Sequence, residues 1–439
     1  MNTDLTRPAL DRSASGQFAW ALYDWANSPF AAVIVTFVFA TYFSQGIAID
    51  PVTGTAQWGW AMTISALIAA FLGPTLGAIA DAGGRRKPWI LAFTWLCVIA
   101  TAFLWFSEPS PDWVLYTLVL VVIANLGLDM AGVFYNAMLN DLAPPERLGR
   151  LSGWAWGLGY FGGLSCLVIA LFAFVQTDTP LFGLNKETAE HVRATGPLVA
   201  AWLALFSLPL FLLTLDRPAA GGSTLEVVKQ GLGQLRQTVS HIRRYRTVAR
   251  FLLARMLYID GLNTLFAFGG IYAAGTFGLE LTDVITFGIL LNVTGGIGAF
   301  AFGWLDDYLG PKQVILIALV GLMACGLAAV IATSVTVFWI VGGLLGLFVG
   351  PTQAASRTMM AKLAPLDQQT EMFGLYALSG KVTAFLGPFV LGTVTLWADS
   401  QRAGMATILV FFVAGFVLLW RLKMPTTGTL APAGQKQQI

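Results

Sequence analysis

The chain is 439 residues long, 56% hydrophobic and 11% charged, with a net charge of +2. Soluble globular chains carry about 25% charged residues, so this apolar excess excludes a single water-soluble core, and the near-neutral balance excludes a nucleic-acid surface. In the remaining solvent, lipid, only helices and closed barrels satisfy their backbone groups. Apolar runs of about 20 residues or more argue for helices over the short alternating strands of a barrel.

The N-terminal tail, residues 1–17, is polar and of mixed charge. Six spans are predicted over 18–45, 57–80, 88–107, 113–139, 151–175 and 197–215, forming a bundle over 18–215. A linker over 216–247 opens with a Pro/Gly-rich turn. It continues as a basic amphipathic helix with Leu225, Val228, Leu232, Leu235 and Val239 at helical spacing, expected to lie on the membrane surface or to act as a solvated tether. A second bundle over 248–422 has spans at 248–275, 282–305, 312–333, 335–361, 371–396 and 404–422, with a kink expected at Gly387-Pro388. The tail over 423–439 is Pro/Gly/Gln-rich and is expected to be disordered. The predicted fold is therefore an all-α polytopic membrane protein with twelve transmembrane helices in two six-helix bundles.

Orientation follows from the basic residues. With both termini inside, 20 of the 25 Lys and Arg residues fall on inner segments; only Lys186, Arg193 and Arg402 fall outside, and Arg255 and Lys381 lie within spans. Cysteines 97, 166 and 325 sit in apolar runs and are expected to pack, with no metal site or disulfide frame. Tyr23, Trp25, Trp154 and Trp156 could line a cavity or sit in an interfacial belt, and the belt is expected for most of them. The glycines at 153, 157, 159 and 163, and at 342, 346 and 350, are spaced for close helix packing.

The two halves repeat each other. Asp24-x-x-Asn27-Ser28-x-Phe30 matches Asp260-x-x-Asn263-Thr264-x-Phe266. Gly77-x-x-x-Asp81-x-x-Gly84-x-Arg86 matches Gly303-x-x-x-Asp307-x-x-Gly310-x-Lys312, and Leu142-Ala143-Pro144-x-Glu146 matches Leu363-Ala364-Pro365-x-Asp367, with Gly153 and Gly374 at the same offset. Three matches in order along the chain imply parallel six-helix repeats around a central site, a transporter layout.

The segment Gly77-Ala78-Ile79-Ala80-Asp81-Ala82-Gly83-Gly84-Arg85-Arg86 resembles the cytoplasmic loop signature of the major facilitator superfamily, with Ala82 where the family has a basic residue. Tyr23-Asp24-Trp25-Ala26-Asn27-Ser28 and Gln353-Ala354-Ala355-Ser356-Arg357 are similar to the branch that includes vacuolar amino-acid effluxers of autophagy. By this resemblance the chain is expected to move amino acids or similar small metabolites by alternating access. The first and fourth helices of each half would line a cavity, placing Asp24, Asn27, Asp129, Asp260, Asn263, Gln353 and Arg357 toward one aqueous space. The resemblance also implies that the loop residues Gly77, Asp81, Gly84, Arg85 and Arg86, with Asp307 and Gly310, latch the inner side. Topology alone is the alternative for that loop.

Charges inside a span are costly and need a reason. Asp24, Asp129, Arg255, Asp260 and Lys381 are the candidates. A carboxylate there can titrate or hold the ammonium of a zwitterion, while Arg255, Arg357 or Lys381 takes its carboxylate. A purely structural pair, such as Arg255 with Asp260, is the competing reading. No Walker A sequence, HExxH or nucleophile elbow occurs, and two histidines make no metal cluster. The chain is thus expected to be no enzyme, to need no cofactor, and to work as a monomer in a bilayer, in a bacterial inner membrane. Its partners are a small-molecule solute and protons as a candidate coupling ion. A solute sensor on the same frame and an exporter of drugs or other metabolites remain open alternatives.

Overall fold

The computed structural model describes residues 13–221, 223–240 and 245–424. Most of the N-terminal tail and the C-terminal tail from 425, with the call of disorder made for it, lie outside the described residues.

Among the described residues, fourteen helices make up the fold. The first half contains α1 (Ala14–Ile47), α2 (Pro51–Gly83), α3 (Lys87–Phe106), α4 (Pro111–Leu142), α5 (Leu148–Val175) and α6 (Glu190–Leu213). Helix α7 (Thr224–Ser240) connects to the second half. That half contains α8 (Arg246–Phe277), α9 (Leu281–Leu309), α10 (Pro311–Ile331), α11 (Val335–Leu363), α12 (Gln369–Ser379), α13 (Leu386–Ala398) and α14 (Gln401–Trp420). Among the described residues eleven helices are long and apolar enough to span a bilayer. Many large apolar side chains are exposed, Phe71 at 76% and Leu212 at 76% among them, a surface suited to lipid and not to water.

The eleventh crossing in chain order is split. The continuous helix predicted over 371–396 is instead α12, a turn over 380–385, and α13. Gly387-Pro388 is not a kink: Pro388 sits in the first turn of α13, where its missing N–H removes no helical bond. The break precedes it, where Gly380 lies against the Arg255 guanidinium. Helix α12 packs on α2 of the opposite half, whereas α13 packs on α14 of its own. In α1 two turns widen to i→i−5 bonding, from Val38 to Val33 and from Ala48 to Phe43, and α5 ends in the same way at Gln176.

Helix α2 is capped at both ends by its own sequence. Asp50 accepts from the N–H groups of Val52 and Thr53 ahead of Pro51. Gly84 (φ +83°) and Gly310 (φ +89°) close α2 and α9 in backbone conformations that L side chains rarely adopt.

Helix α7 lies on the protein. Gly231 is pressed against Ile79 of α2, and Gln234 reaches Glu371 of α12. The docked stripe is Val227, Gly231, Gln234 and Thr238, while Leu225 and Leu232 of the predicted apolar face stay exposed. The side chain of Val239 lies outside the described residues. The belt expected for the aromatic residues is also corrected: Tyr23 is fully buried and bonds Thr94 at 2.6 Å, and Trp156 lies beside Arg357.

Candidate functional site

The halves meet along two seams, α2 with α12 and α5 with α9 and α11. At Gly77 a Cβ would come within 2.6 Å of the Thr370 carbonyl, and at Gly153 within 2.5 Å of the Ala299 carbonyl. Only glycine admits these approaches. All described hydrogen bonds between the halves run from mid-bundle to the end bearing Asp81 and Asp307; toward the ends bearing Pro51 and Gln401 none joins them. The described bonds close the bundle at one end and leave the halves unjoined by hydrogen bonds at the other.

Two ion pairs cross between halves at mid-depth. Arg357, 2% exposed, donates from Nη1 to Asp24 Oδ2 at 2.9 Å and to Asn136 Oδ1 at 3.3 Å. It also bonds the Ser152 hydroxyl (2.9 Å) and carbonyl (2.8 Å), and lies over Trp20, Tyr135 and Trp156. Asn27 donates to Asp24 Oδ1 at 3.4 Å, and Gln353 accepts from the Tyr160 hydroxyl at 2.8 Å. Second, Lys381 Nζ lies 2.7 Å from Asp129 Oδ2, with both side chains partly exposed. Asn125 joins Asp129 at 3.1 Å and Ser65 at 2.9 Å. Lys381 stands in the break of the eleventh crossing.

The pair considered from sequence, Arg255 with Asp260, is absent from the described ion pairs. Five residues of helix turn them about 140° apart. Arg255 instead donates to the Tyr376 carbonyl at 2.7 Å and Ser379 Oγ at 2.8 Å, its guanidinium 3.5 Å from the Tyr376 ring. Asp260, 1% exposed, accepts the Gly387 N–H at the start of α13, 3.1 Å away. Arg255 Nε and Asp260 Oδ1 have no partner among the described residues. Asn263 is exposed and joins none of these groups.

At the closed end the repeat becomes geometry. Asp81 accepts the N–H groups of Thr370 (3.1 Å) and Glu371 (2.9 Å), starting α12. Asp307 accepts the Arg150 N–H at 3.1 Å, starting α5. Each loop acid thus caps a helix of the other half. Arg86, 1% exposed, bonds Asp141 (2.6 Å), the Ala137 carbonyl (2.7 Å), Thr370 Oγ1 (2.9 Å) and, more loosely, Asp81 (3.4 Å). Burial draws its guanidinium below its ordinary basicity, and Asp141 works against that. Arg217 grips Asp141 with two nitrogens. Arg85 is exposed.

Asp141, Ser152, Asn136 and Asn125 went unnoticed in the sequence. Asp141 carried a signal, since it directly precedes the repeated Leu142-Ala143-Pro144. The other three are ordinary polar residues in apolar runs.

A family model described as "Vacuole effluxer Atg22 like" matches residues 52–428. An uncharacterized MFS-type transporter, YxiO, of Bacillus subtilis is 29% identical over 413 residues, covering 93% of this chain and 95% of that one. Autophagy-related protein 22 of Coccidioides immitis is 22% identical over 416 residues, covering 76% of this chain and 67% of its own. Among solved structures, the major facilitator superfamily transporter FucP in the outward conformation superposes with a TM-score of 0.74 at 16% identity, covering 94% of this chain and 99% of that one. The proton:xylose symporter XylE bound to a halogenated glucose gives 0.69 at 14% identity, covering 92% and 94%. At these identities the structures speak for the fold.

Proposed function

This chain belongs to the Atg22-like branch of the major facilitator superfamily, a family of secondary transporters and not of enzymes, and we propose that its cargo is a small zwitterion such as an amino acid, carried outward by alternating access. The observation that carries this reading is the pair of ion bridges between halves, Asp24–Arg357 and Asp129–Lys381. Each offers a carboxylate to an ammonium group and a cation to a carboxylate, and each can exchange its partner for the solute's charge at small net cost. Arg255 and Asp260, each with a polar atom that has no partner among the described residues, extend the same chemistry into the break of the eleventh crossing. Broken crossings supply substrate and ion sites in other transporters.

The distribution of Lys and Arg supports cytoplasmic termini, so the closed end faces the cytoplasm and the parted end faces outward. The full-length likeness to a Bacillus protein supports a bacterial inner membrane, and nothing in the mechanism calls for more than a monomer. Asp260, buried and capping α13, is the candidate for the coupling proton. The loop acids serve as latches.

Counterflow of labelled amino acids in proteoliposomes tests the reading. Exchange is expected; a protein that binds amino acids but exchanges none is a sensor, and the proposal fails. Asp260→Asn is expected to abolish accumulation driven by a proton gradient while counterflow persists, and wild-type accumulation in that variant removes Asp260 from the coupling role. Asp81→Ala removes a helix cap, worth about 0.5–2 kcal/mol. Because that cap exists only with the inner end closed, exchange should slow more than ligand-induced thermal stabilisation declines. An equal loss in both would leave the loop with topology alone.

A further inference from the structure

The two seams of the closed end repeat each other but differ in charge. In the α5 seam Asp307 receives the Arg150 N–H, and its carboxylate lies 3.3 Å from Arg150 Nε. In the α12 seam Asp81 receives the Glu371 N–H. Glu371 stands where Arg150 stands, each three residues before the matched glycines Gly374 and Gly153. An acid facing a base in one seam is an acid facing an acid in the other.

Glu371 is wholly buried. Its Oε2 accepts from Gln234 at 2.9 Å, and its Oε1 has no partner among the described residues. The nearby charges are mostly negative: Asp81 from α2 and Asp367 ahead of α12. Arg86, which bonds the neighbouring Thr370 side chain, is shared between Asp81 and Asp141. Helix α7 presents the uncharged Gln234 and Thr238 to Glu371.

The α5 seam buries a second carboxyl, Asp306. It is 2% exposed, forms no ion pair among the described residues, and its Oδ1 lacks a partner. It presses on Gly149 of the opposite half, among the apolar Ala299, Phe302, Val314 and Pro351. Around it stand Asp307 beside it, Arg150 of α5, already engaged with Asp307, and Lys362 and Thr358 of α11. The repeat places Ala80 at this position in the first half.

We propose that closing this end binds protons, held by Glu371 and Asp306, taken from the compartment onto which the end opens and returned there when the seams part. Two ionised carboxylates cannot share the α12 seam cheaply, and a buried ionised carboxyl without a counter-ion is costly. A proton on each removes both costs. Parting the seams returns both groups to water, where carboxyls ionise at about pH 4. The closed form therefore binds more protons, so acid on that side favours closure and alkali favours opening. The ratio of closed to open changes about tenfold per pH unit for each proton linked. The proposal rests on the transporter reading only in requiring two states; it does not depend on the identity of the solute.

The test is a distance measurement by pulsed electron paramagnetic resonance without solute, in nanodiscs, from pH 5 to 8. Spin labels at Glu146→Cys and Leu366→Cys, exposed in equivalent loops of the two halves, are introduced into a protein lacking native cysteines. In the otherwise wild-type protein the short-distance population should grow as pH falls. Glu371→Gln and Asp306→Asn should each remain closed to higher pH and lower the slope by about one proton; the double variant should be flat. These near-isosteric changes keep the packing, and size-exclusion profiles verify the fold. A flat wild-type profile overturns the proposal, as does an unchanged slope in the variants or a variant that opens. Failure of amino-acid counterflow would leave this result intact, so the two readings fail separately.

Discussion

Arg357→Ala is expected to abolish solute exchange and to destabilise the protein by about 3–5 kcal/mol, the range for removing one partner of a buried pair. Arg357 comes from the second half, and most of its partners belong to the first: Asp24, Asn136 and Ser152. Truncation leaves the Asp24 carboxylate without its cation and the Ser152 carbonyl without its donor, at a depth where water cannot replace them. Arg357→Lys should rescue little, because one ammonium cannot reproduce a fork that meets Asp24 and Ser152 together. Counterflow rates and thermal unfolding in detergent provide the readouts. Exchange within twofold of wild type in Arg357→Ala would remove the residue from the cavity's working set.

Gly153→Leu is expected to prevent closure of the inner end. The added Cβ meets the Ala299 carbonyl at 2.5 Å and the Gly303 Cα at 2.8 Å, both backbone atoms that cannot rotate away. Overpacking of this kind costs about 1–3 kcal/mol. That corresponds to roughly a 5- to 150-fold loss in the ratio of closed to open, paid only in the closed state. The 146–366 label distance should lengthen and counterflow should fall in parallel. A variant that keeps the wild-type distance would show that α5 and α9 can slide without separating.

Much of the architecture is legible in the sequence because lipid imposes a length on each helix and because the chain states its half-fold twice. The matches around Asp81 and Asp307 marked equivalent loop acids in the two halves, and in the structure each accepts a backbone N–H at a helix start of the opposite half. Ion partners were less legible. Arg255 and Asp260 suggest each other by nearness along the chain, yet helical rotation separates them. The pairs that form, Asp24–Arg357 and Asp129–Lys381, join residues more than 250 positions apart. No local pattern encodes such partners, since they depend on how one half sits against the other. The break in the eleventh crossing was hidden for another reason. Hydropathy is continuous from α12 through α13, and the interruption reflects what Arg255 and Lys381 demand of the backbone beside them. The charge contrast between Arg150 and Glu371 was present in the aligned repeat but gained meaning only once Asp81 and Asp307 were seen to face those positions.

That break divides loyalties within one crossing. Helix α12 is fastened to α2 across the divide, and α13 to α14 on its own side. Opening the inner end releases α12 from α2 but asks nothing of the packing of α13 on α14. The turn over 380–385, with Lys381 in it, therefore joins one piece that must let go to one that need not.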